Sequence, residues 1–383
     1  MVNKKQIAFA FSMVDPHNIH VADGIAAYAR EHEPWNFVAD FETPSLSLRR
    51  LADWPGDGIV AMIESAAEAR LAASLKVPVV NISGAMAVST VPRVMADQFA
   101  IGQLAAEHLL ARHFQRFAFY GLRGVYYSQR RLQGFVERVK QNGSVCSVLE
   151  APSSINARRP WKQRTESIDQ WLKTFEPPVG LLAVHDSRAM TILDACAANG
   201  LSVPEDVAVL GVDNQETVCR FARVPLSSVS RNDREIGYRA AALLDRLMAG
   251  KRPPKRDVLV PPEGVHARES TDILAIDDPE VAVAVRYIDH HATEAITVDM
   301  VVQHLPVSRR WLEYRFKEHL GCTPHEYLCR ARVRQAKSLL SSRQKLKMHQ
   351  VAAACGFTDT RHLRSVFERL TGMTPGEYHR ALF

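Results

Sequence analysis

The 383-residue sequence lacks several patterns that mark particular classes of protein. No stretch approaches the roughly 18 consecutive apolar residues that a membrane-spanning helix needs, which argues against a membrane partner. Phosphate-binding GxxxxGK[ST] loops, GxGxxG turns and zinc-binding HExxH helices are also missing, and no nucleophile stands out with a plausible base. The sequence therefore argues against an enzyme, and it predicts no cofactor and no metal site.

Cysteine is sparse, and the six cysteines never approach one another with CxxC spacing. This pattern favours reduced, mostly buried thiols over disulfides or metal ligands. A signal peptide is also not evident, because the apolar run Ile7–Met13 is brief and is soon followed by Asp15 and Pro16. We interpret that run as a buried first strand, and we expect a cytoplasmic protein.

Charge is distributed unevenly along the chain. Residues 281–383 hold 16 lysines and arginines against 9 acidic residues, a net charge of +7. The preceding residues hold 32 against 33, a net charge of −1, and the whole chain carries +6. A near-neutral body followed by a basic segment favours a polyanionic partner for that segment alone.

The body that precedes the basic segment alternates short apolar runs with amphipathic helical segments. The runs are QIAFAFSM, DGIVAMI, VPVVNIS, RFAFYGL, VGLLAVHD and DVAVLGVDN. Strands that are apolar on both faces and alternate with helices predict parallel sheets covered on both sides, and the length of this body predicts two such lobes. The sequence therefore predicts a two-lobed α/β domain over residues 1–272, a linker over 273–280 and an all-α domain over 281–383.

Two stretches of the basic segment repeat at an offset of 51 residues. The first begins at Met300 and reads MVVQHLPVSRRWLEYRFKEHLGCTPHEYL, and the second begins at Val351 and reads VAAACGFTDTRHLRSVFERLTGMTPGEYH. The matched positions include Phe316 with Phe367, Gly321 with Gly372, Thr323 with Thr374 and Tyr327 with Tyr378. Such a repeat predicts two copies of one small helical unit.

Each copy contains the signals of a helix-turn-helix. Thr297, Ser308 and Asp359 suit helix N-caps, and TPHE and TPGE each provide a capping box that opens a further helix. The second helix of each copy has an apolar side, formed by Leu312 and Phe316 in the first copy and by Leu363, Phe367 and Leu370 in the second. The opposite side is rich in arginine, which binds guanine in the major groove of DNA. The predicted DNA-contacting residues are Arg309, Arg310, Tyr314, Thr360, Arg361, Arg364 and Ser365.

A predicted helix from Pro324 to about Leu340 separates the two copies by about 25 Å. That spacing is near the roughly 34 Å between successive major grooves on one face of DNA. The alternative is a pair of solvated amphipathic hairpins with an ordinary charged face. We favour DNA binding because the repeat, the caps and the charge asymmetry agree.

The basic segment resembles the AraC-type transcription regulator domain, through the pattern VAAACGF…F…GMTPGEY of its second copy. The resemblance implies two helix-turn-helix units joined by a long helix, promoter DNA as the partner, and activation of transcription with RNA polymerase as a further partner. The first copy departs from the second, because Leu305 and Pro306 stand where the second has Gly356 and Phe357.

The preceding body resembles the sugar-binding core of LacI-type repressors and periplasmic binding proteins, and it is most similar to regulators of D-xylose operons. The likeness is carried by GIAAYAREHEPW, RRLQGF, VPEDVAVLGVDN, PLSSV and ARESTDILAIDDP. It implies a small sugar effector, D-xylose, held between two lobes of a homodimeric protein. A ligand core that precedes the DNA domain excludes an ordinary LacI-type repressor.

The candidate ligand residues follow predicted strands, where the carboxyl ends of parallel strands form a binding edge. Sugar hydroxyls need carboxylates and guanidiniums as partners. The resemblance points most clearly to Asp213 and Arg131. The other candidates are Asp97, Asp186, His185 and Asn81, with Ser83, Met13 and His17 as weaker ones. Alternative roles stay open, since Asp97, Asp186 and Asp213 also suit helix N-caps and Arg131 has Glu137 as a possible ion partner.

Together these features predict a sugar-responsive transcription regulator, in which the sugar closes the two lobes and sets the spacing of the helix-turn-helix units on DNA. The alternative is an exported or cytosolic sugar-binding protein without a transcriptional role. The basic helical domain argues against that alternative.

Overall fold

The computed structural model describes residues 4–39, 47–152, 161–276, 278–341 and 346–382. The chain forms two compact units, Met1–Ile273 and Leu274–Phe383, and each has its own hydrophobic clusters. Among the described residues, no helix is both long and apolar enough to cross a membrane.

The first lobe of the first unit is built on parallel strands. They are β1 (Gln6–Ala10), β2 (Asn36–Val38), β3 (Gly58–Ala61), β4 (Val79–Asn81), β5 (Val94–Ala96) and β11 (Val258–Val260). Four of them form a sheet in the order β2-β1-β3-β4, and β11 pairs with β5. Helices α1 (Pro16–Glu31), α2 (Ala66–Ser74) and α8 (Asp233–Met248) complete this lobe. The central strands are buried on both faces, as β-branched residues such as Ile7 and Ile59 favour.

The second lobe has a six-stranded sheet. Its strands are β6 (Arg116–Arg123), β7 (Val145–Pro152), β8 (Val179–Ala183), β9 (Val207–Val212), β10 (Ser227–Ser230) and β12 (Gly264–His266). Their order is β12-β10-β9-β8-β6-β7, and only β12 runs antiparallel to its neighbour. Its helices are α3 (Gln98–Leu110), α4 (Tyr126–Gln141), α5 (Trp161–Leu172), α6 (Asp186–Ala198) and α7 (Glu216–Phe221). The predicted pair of parallel-sheet lobes is confirmed, with one antiparallel edge strand added.

The chain passes between the lobes after β5, after β10 and after β11. Hydrogen bonds hold these crossings side by side. The amide of Asp97 donates to Val260 O at 2.7 Å, and the amide of Glu263 donates to Ser230 O at 3.0 Å. Closely spaced crossings of this kind form a hinge, so the residues at each crossing respond when the lobes move.

The described residues of the second unit form helices joined by short turns, with no strand among them. Its helices are α9 (Pro279–His291), α10 (Val298–Gln303), α11 (Arg309–Leu320), α12 (Pro324–Ser341), α13 (Met348–Ala354), α14 (Thr360–Thr371) and α15 (Pro375–Leu382). The first part of α12 packs into one core with α9 to α11, and its later part packs into a second core with α13 and α14. The predicted pair of helix-turn-helix units joined by a long helix is confirmed.

The repeated residues have the same structural role in both copies. Gly321 ends α11 with a φ of 63°, and Gly372 ends α14 with a φ of 75°, which is the left-handed conformation that glycine adopts readily at a helix C-cap. Phe316 packs edge-on against Tyr327 at 6.0 Å between ring centroids, and Phe367 packs against Tyr378 at 5.5 Å. The sequence repeat therefore reflects a repeat of packing.

Two details of the second unit differ from the expectations. Leu274 and Ile276 pack against its first core, and Asp278 caps α9, so these residues of the predicted linker belong to the helical unit. Leu370 is 36% exposed, and Val366 occupies the buried face of α14 beside Leu363 and Phe367. Leu370 lies on the predicted face but is only partly covered, one residue before α14 ends at Thr371.

Candidate ligand cleft and nucleic-acid interface

The turn after β9 holds Asp213 in an unusual backbone conformation. The φ angles of Asp213 and Asn214 are 111° and 51°, a region that residues other than glycine seldom occupy. The amide of Asp213 donates to Val229 O at 2.9 Å, and the amide of Asn214 donates to Ser228 Oγ at 2.9 Å. Strain of this kind, on the order of 1–3 kcal/mol, persists where the surroundings enforce it and occurs often at functional sites.

Three cationic side chains surround the Asp213 carboxylate. Its oxygens lie 3.7 Å from Arg131 Nη2, 3.6 Å from Arg231 Nη1 and 3.5 Å from His17 Nε2. Burial alone would raise the pKa of Asp213, but these cations outweigh burial and hold the pKa well below its usual range. Asp213 Oδ1 is nevertheless buried and accepts no hydrogen bond, since both guanidiniums are too distant.

Arg131 is only 2% exposed and reaches the cleft from α4. Its Nε donates to Gln98 Oε1 at 2.6 Å, its Nη1 donates to Val184 O, and its guanidinium lies 5.3 Å from the centre of the Tyr127 ring. Glu137, the alternative ion partner, is exposed. Arg131 is therefore held from several sides, with its Nη2 directed toward Asp213.

His17 joins the two lobes. It lies near the start of α1, in the first lobe, and its Nδ1 is 3.0 Å from Asp233 Oδ2 at the hinge. Its Nε2 is 3.5 Å from Asp213 Oδ2 in the second lobe. Burial lowers the pKa of His17, but Asp213 and Asp233 more than compensate and raise it to about 9.

The other predicted ligand residues have well-defined partners within the first unit. Asp186 is 1% exposed and accepts from Ser228 Oγ at 2.6 Å and from the amide of Gln215 at 2.8 Å. Burial, followed by the charge on Asp213, raises its pKa to about 7. Asn81 Oδ1 accepts from the amides of Ile63 and Ser83 at 3.2 and 2.8 Å. The hydrogen-bonding oxygens of Asp186 and Asn81 are therefore engaged by neighbouring residues of their own lobes.

Asp97 and His185 lie at helix starts beside the cleft. Asp97 caps α3 by accepting from the amide of Ala100 at 3.0 Å, at the first crossing between the lobes. His185 precedes α6, and its Nδ1 lies 2.8 Å from Ser187 Oγ. Burial is the main reason that the pKa of His185 is lowered to about 4, so this imidazole is neutral at pH 7.

The structure thus brings Asp213 and Arg131 together and adds residues that the sequence reasoning missed. Arg231 and Asp233 come from the crossing after β10, and Arg231 Nη2 lies 2.9 Å from Asp233 Oδ1. The oppositely charged pair Arg231 and Asp233, directly after the strand SSVS, was the available signal. A cleft lined by carboxylate, guanidinium and imidazole groups matches the alternating donors and acceptors of a polyol.

The second unit exposes one helix from each repeat. All seven predicted DNA-contacting residues are exposed, and Tyr314 is 65% exposed. Among them, Arg309 pairs with Asp299 at 2.8 Å and with Glu313 at 3.0 Å. The N-caps Ser308 and Asp359 accept from the amides of Trp311 and His362, as predicted, so both exposed helices have defined starts.

Arg332 of α12 ties the two repeats of the second unit together. Its Nε donates to Ala292 O at 3.0 Å, and its Nη2 donates to Glu294 O at 2.9 Å. Gly356, in the turn of the second repeat, approaches the same two carbonyls so closely that a Cβ there would lie 2.6 Å from Ala292 O. The two helix-turn-helix units are therefore fixed relative to each other.

Comparison with known proteins agrees with this architecture. Residues 106–271 match the periplasmic binding protein-like domain, and residues 301–381 match a helix-turn-helix domain. The chain is 33% identical to the xylose operon regulatory protein of Escherichia coli K12, over 98% of this chain and 97% of that protein. It is 31% identical to the protein of the same name from Haemophilus influenzae, over 97% of each. A solved structure of the xylose-binding transcription activator XylR matches 99% of both chains, with a TM-score of 0.63 and 31% identity.

Proposed function

The chain belongs to the family of xylose operon regulatory proteins, and on that premise we propose that D-xylose binds at Asp213 between the two lobes and thereby controls binding to promoter DNA. Members of this family are sugar-responsive transcription regulators rather than enzymes. A sugar-binding protein without a transcriptional role, the alternative considered from the sequence, is therefore set aside.

The observation that carries the proposal is the unfilled hydrogen-bonding capacity of Asp213. Its Oδ1 is buried and accepts no hydrogen bond, while Arg131 and Arg231 stand 3.6–3.7 Å away. A sugar hydroxyl donates one hydrogen bond and accepts others, so one hydroxyl can satisfy the carboxylate and a guanidinium together. Leaving such groups unpaired is costly, which makes this position selective for a polyol.

The proposal extends to the control of transcription. The names of the relatives support D-xylose as effector and activation as the outcome. We further propose that the protein acts in the cytoplasm as a homodimer that places four helix-turn-helix units on DNA, and that RNA polymerase is its partner there. Sugar changes DNA affinity only if it binds the two conformations differently, typically by about 1–3 kcal/mol.

Calorimetric titration of the full chain with D-xylose, D-ribose, L-arabinose and D-glucose tests the proposal. We expect the tightest binding for D-xylose and a loss of about 100-fold, near 2.7 kcal/mol, in Asp213→Asn. Asp194→Asn, an exposed change on α6, is the matched control and should bind like the wild type. Tighter binding of another sugar would replace D-xylose as effector, and unchanged affinity in Asp213→Asn would remove Asp213 from the site.

A further inference from the structure

Helix α3 is held at one end by the ligand cleft and at the other by the last residues of the first unit. It contains 13 residues and therefore spans about 20 Å. Its first residue, Gln98, follows the crossing between lobes at Asp97 and accepts the hydrogen bond from Arg131 Nε at 2.6 Å. Because Gln98 is only 5% exposed, this bond is shielded from water. A shift of Arg131 therefore acts directly on the start of α3.

The middle of α3 is in backbone contact with α4, which carries Arg131. A Cβ added to Gly102 of α3 would lie 2.1 Å from Arg131 O, and one added to Gly134 of α4 would lie 2.1 Å from Phe99 O. The two helices thus cross at a pair of glycines, with each backbone against the other. Packing this close transmits displacement, because neither helix can slide without moving its partner.

The far end of α3 contacts Thr271, which is fully buried and lies three residues before Leu274, where the second unit begins. Arg112 Nε donates to Thr271 O at 2.7 Å, and His108 Nε2 lies 2.9 Å from Thr271 Oγ1. Burial, followed by the charge of Arg112, lowers the pKa of His108 to about 3, so this imidazole is neutral.

Because His108 is neutral, it can accept a hydrogen bond at one ring nitrogen and donate one from the other. Arg112 Nη1 donates to His108 Nδ1 at 3.2 Å, so the proton resides on Nε2 and is donated to Thr271 Oγ1. Thr271 Oγ1 then donates to Ser227 Oγ at 2.7 Å, and Ser227 Oγ donates to Arg268 O at 2.9 Å. The exit of the chain from the first unit is therefore locked to α3 and β10.

We propose that Gln98, His108 and Arg112 are positioning residues, through which α3 transmits sugar binding at Arg131 to Thr271 and so to the segment that leads into the DNA-binding unit. This inference rests on the proposed control of DNA binding by sugar. Loss of the hydrogen bonds to Thr271 should therefore leave sugar affinity and DNA affinity intact and abolish the coupling between them.

Two variants of the full chain, Thr271→Val and Arg112→Met, remove hydrogen bonds between Thr271 and the end of α3. Thr271→Ser keeps the hydroxyl, and Glu107→Gln is an exposed change on the same helix, so both serve as controls. The readouts are the D-xylose dissociation constant, and the affinity for a duplex selected by the wild-type chain from random DNA, with and without D-xylose. For the wild type and both controls we expect sugar to change DNA affinity by about 5–150-fold. In Thr271→Val and Arg112→Met we expect D-xylose to change DNA affinity by less than about 2-fold. Their affinity for D-xylose, and their affinity for DNA without D-xylose, should each stay within about 2-fold of wild type.

The inference would be overturned if D-xylose changed DNA affinity in both Thr271→Val and Arg112→Met as much as in the wild type. Loss of D-xylose affinity in these variants would also overturn it, since that would indicate a merely structural role. If Thr271→Val does not fold, Arg112→Met decides alone, because its side chain is partly exposed and its removal leaves the Thr271 hydroxyl in place. If D-xylose did not change the DNA affinity of the wild-type chain, the proposed function itself would be contradicted.

Discussion

At the scale of single residues, His17 has two acidic neighbours from two different parts of the fold. Asp233 lies at the hinge and Asp213 follows β9, and together they raise the pKa of His17 from 6.5 to about 9. A folded-state pKa above the unfolded value means that the folded protein binds the proton more tightly. The resulting stabilisation is complete below the unfolded value and is lost as the pH rises through the folded one.

His17→Gln removes this titration while keeping a polar side chain. We expect the free energy of unfolding of the wild type, relative to this variant, to be greatest below pH 6.5 and to fall by about 1–3 kcal/mol as the pH rises toward 9. Urea unfolding at a series of pH values measures the difference. His20→Gln, an exposed change on the same helix, is the control. Parallel pH profiles for wild type and His17→Gln would show that His17 carries no such proton.

The predicted DNA-contacting arginines are not equivalent. Arg309 is occupied by Asp299 and Glu313, whereas Arg364 projects from α14 into solvent. We expect Arg364→Ala to relax preference at one base pair by about 1–3 kcal/mol, because a bidentate contact to guanine is lost. Arg309→Ala should change sequence preference much less, since its guanidinium is already engaged. Binding to duplexes with single base-pair changes distinguishes the two variants. Uniform weakening by Arg364→Ala across all duplexes would assign it to phosphate instead.

Residue patterns predicted part of the cleft and missed the rest for a physical reason. Asp213 was predictable because it follows a buried strand, and Arg131 because its surrounding sequence resembles a known core. Arg231 and Asp233 enter the cleft only because the chain crosses between lobes after β10, and such a crossing leaves no periodic signal in the sequence. Asp186 illustrates the converse, since a carboxylate at the end of a strand can point either into the cleft or back to Ser228.

At the scale of elements, the contact between α3 and α4 depends on two glycines. Helix propensity predicts that alanine in place of a helical glycine stabilises by about 1 kcal/mol. Packing predicts the opposite at Gly102, where a Cβ would collide with the backbone of α4 at Arg131. The sign of the change therefore separates the two effects.

We expect Gly102→Ala to lower the free energy of unfolding by about 3 kcal/mol, because backbone atoms cannot move aside as a flexible side chain can. Gly376→Ala is the control, since Gly376 is also helical but has no atom within 4 Å of an added Cβ. It should be neutral or stabilising. Chemical unfolding of both variants measures the change, and a stabilising Gly102→Ala would mean that the two helices are not in backbone contact.

The central elements were predictable and the peripheral ones were not. All six apolar runs became β1, β3, β4, β6, β8 and β9, because strands buried on both faces must be apolar throughout. β10 has the polar sequence SSVS and β7 is an edge strand with Val145 76% exposed, so neither shows that pattern. The repeat in the second unit was predictable in detail, since each matched glycine ends a helix and each matched tyrosine packs on a phenylalanine.

At the scale of the whole molecule, the positive charge is concentrated in residues 281–383, so DNA binding and sugar binding should respond differently to salt. The basic segment carries +7 and the rest carries −1, and a neutral sugar releases no counterions when it binds. DNA binding does release them, in proportion to the phosphates that the protein neutralises.

We therefore expect the logarithm of the DNA affinity of the full chain to fall with the logarithm of salt concentration with a slope of roughly −5 or steeper. The D-xylose affinity of the same preparation should stay nearly constant over the same range, because its proposed partners Asp213 and Arg131 are buried and screened little. Fluorescence anisotropy with labelled duplex and calorimetry with D-xylose, from 50 to 300 mM salt, measure the two slopes. A shallow DNA slope would mean that the +7 charge does not face the phosphates. A steep sugar slope would mean that salt ions compete with D-xylose for the charged groups of the cleft, because a neutral sugar by itself releases no ions when it binds.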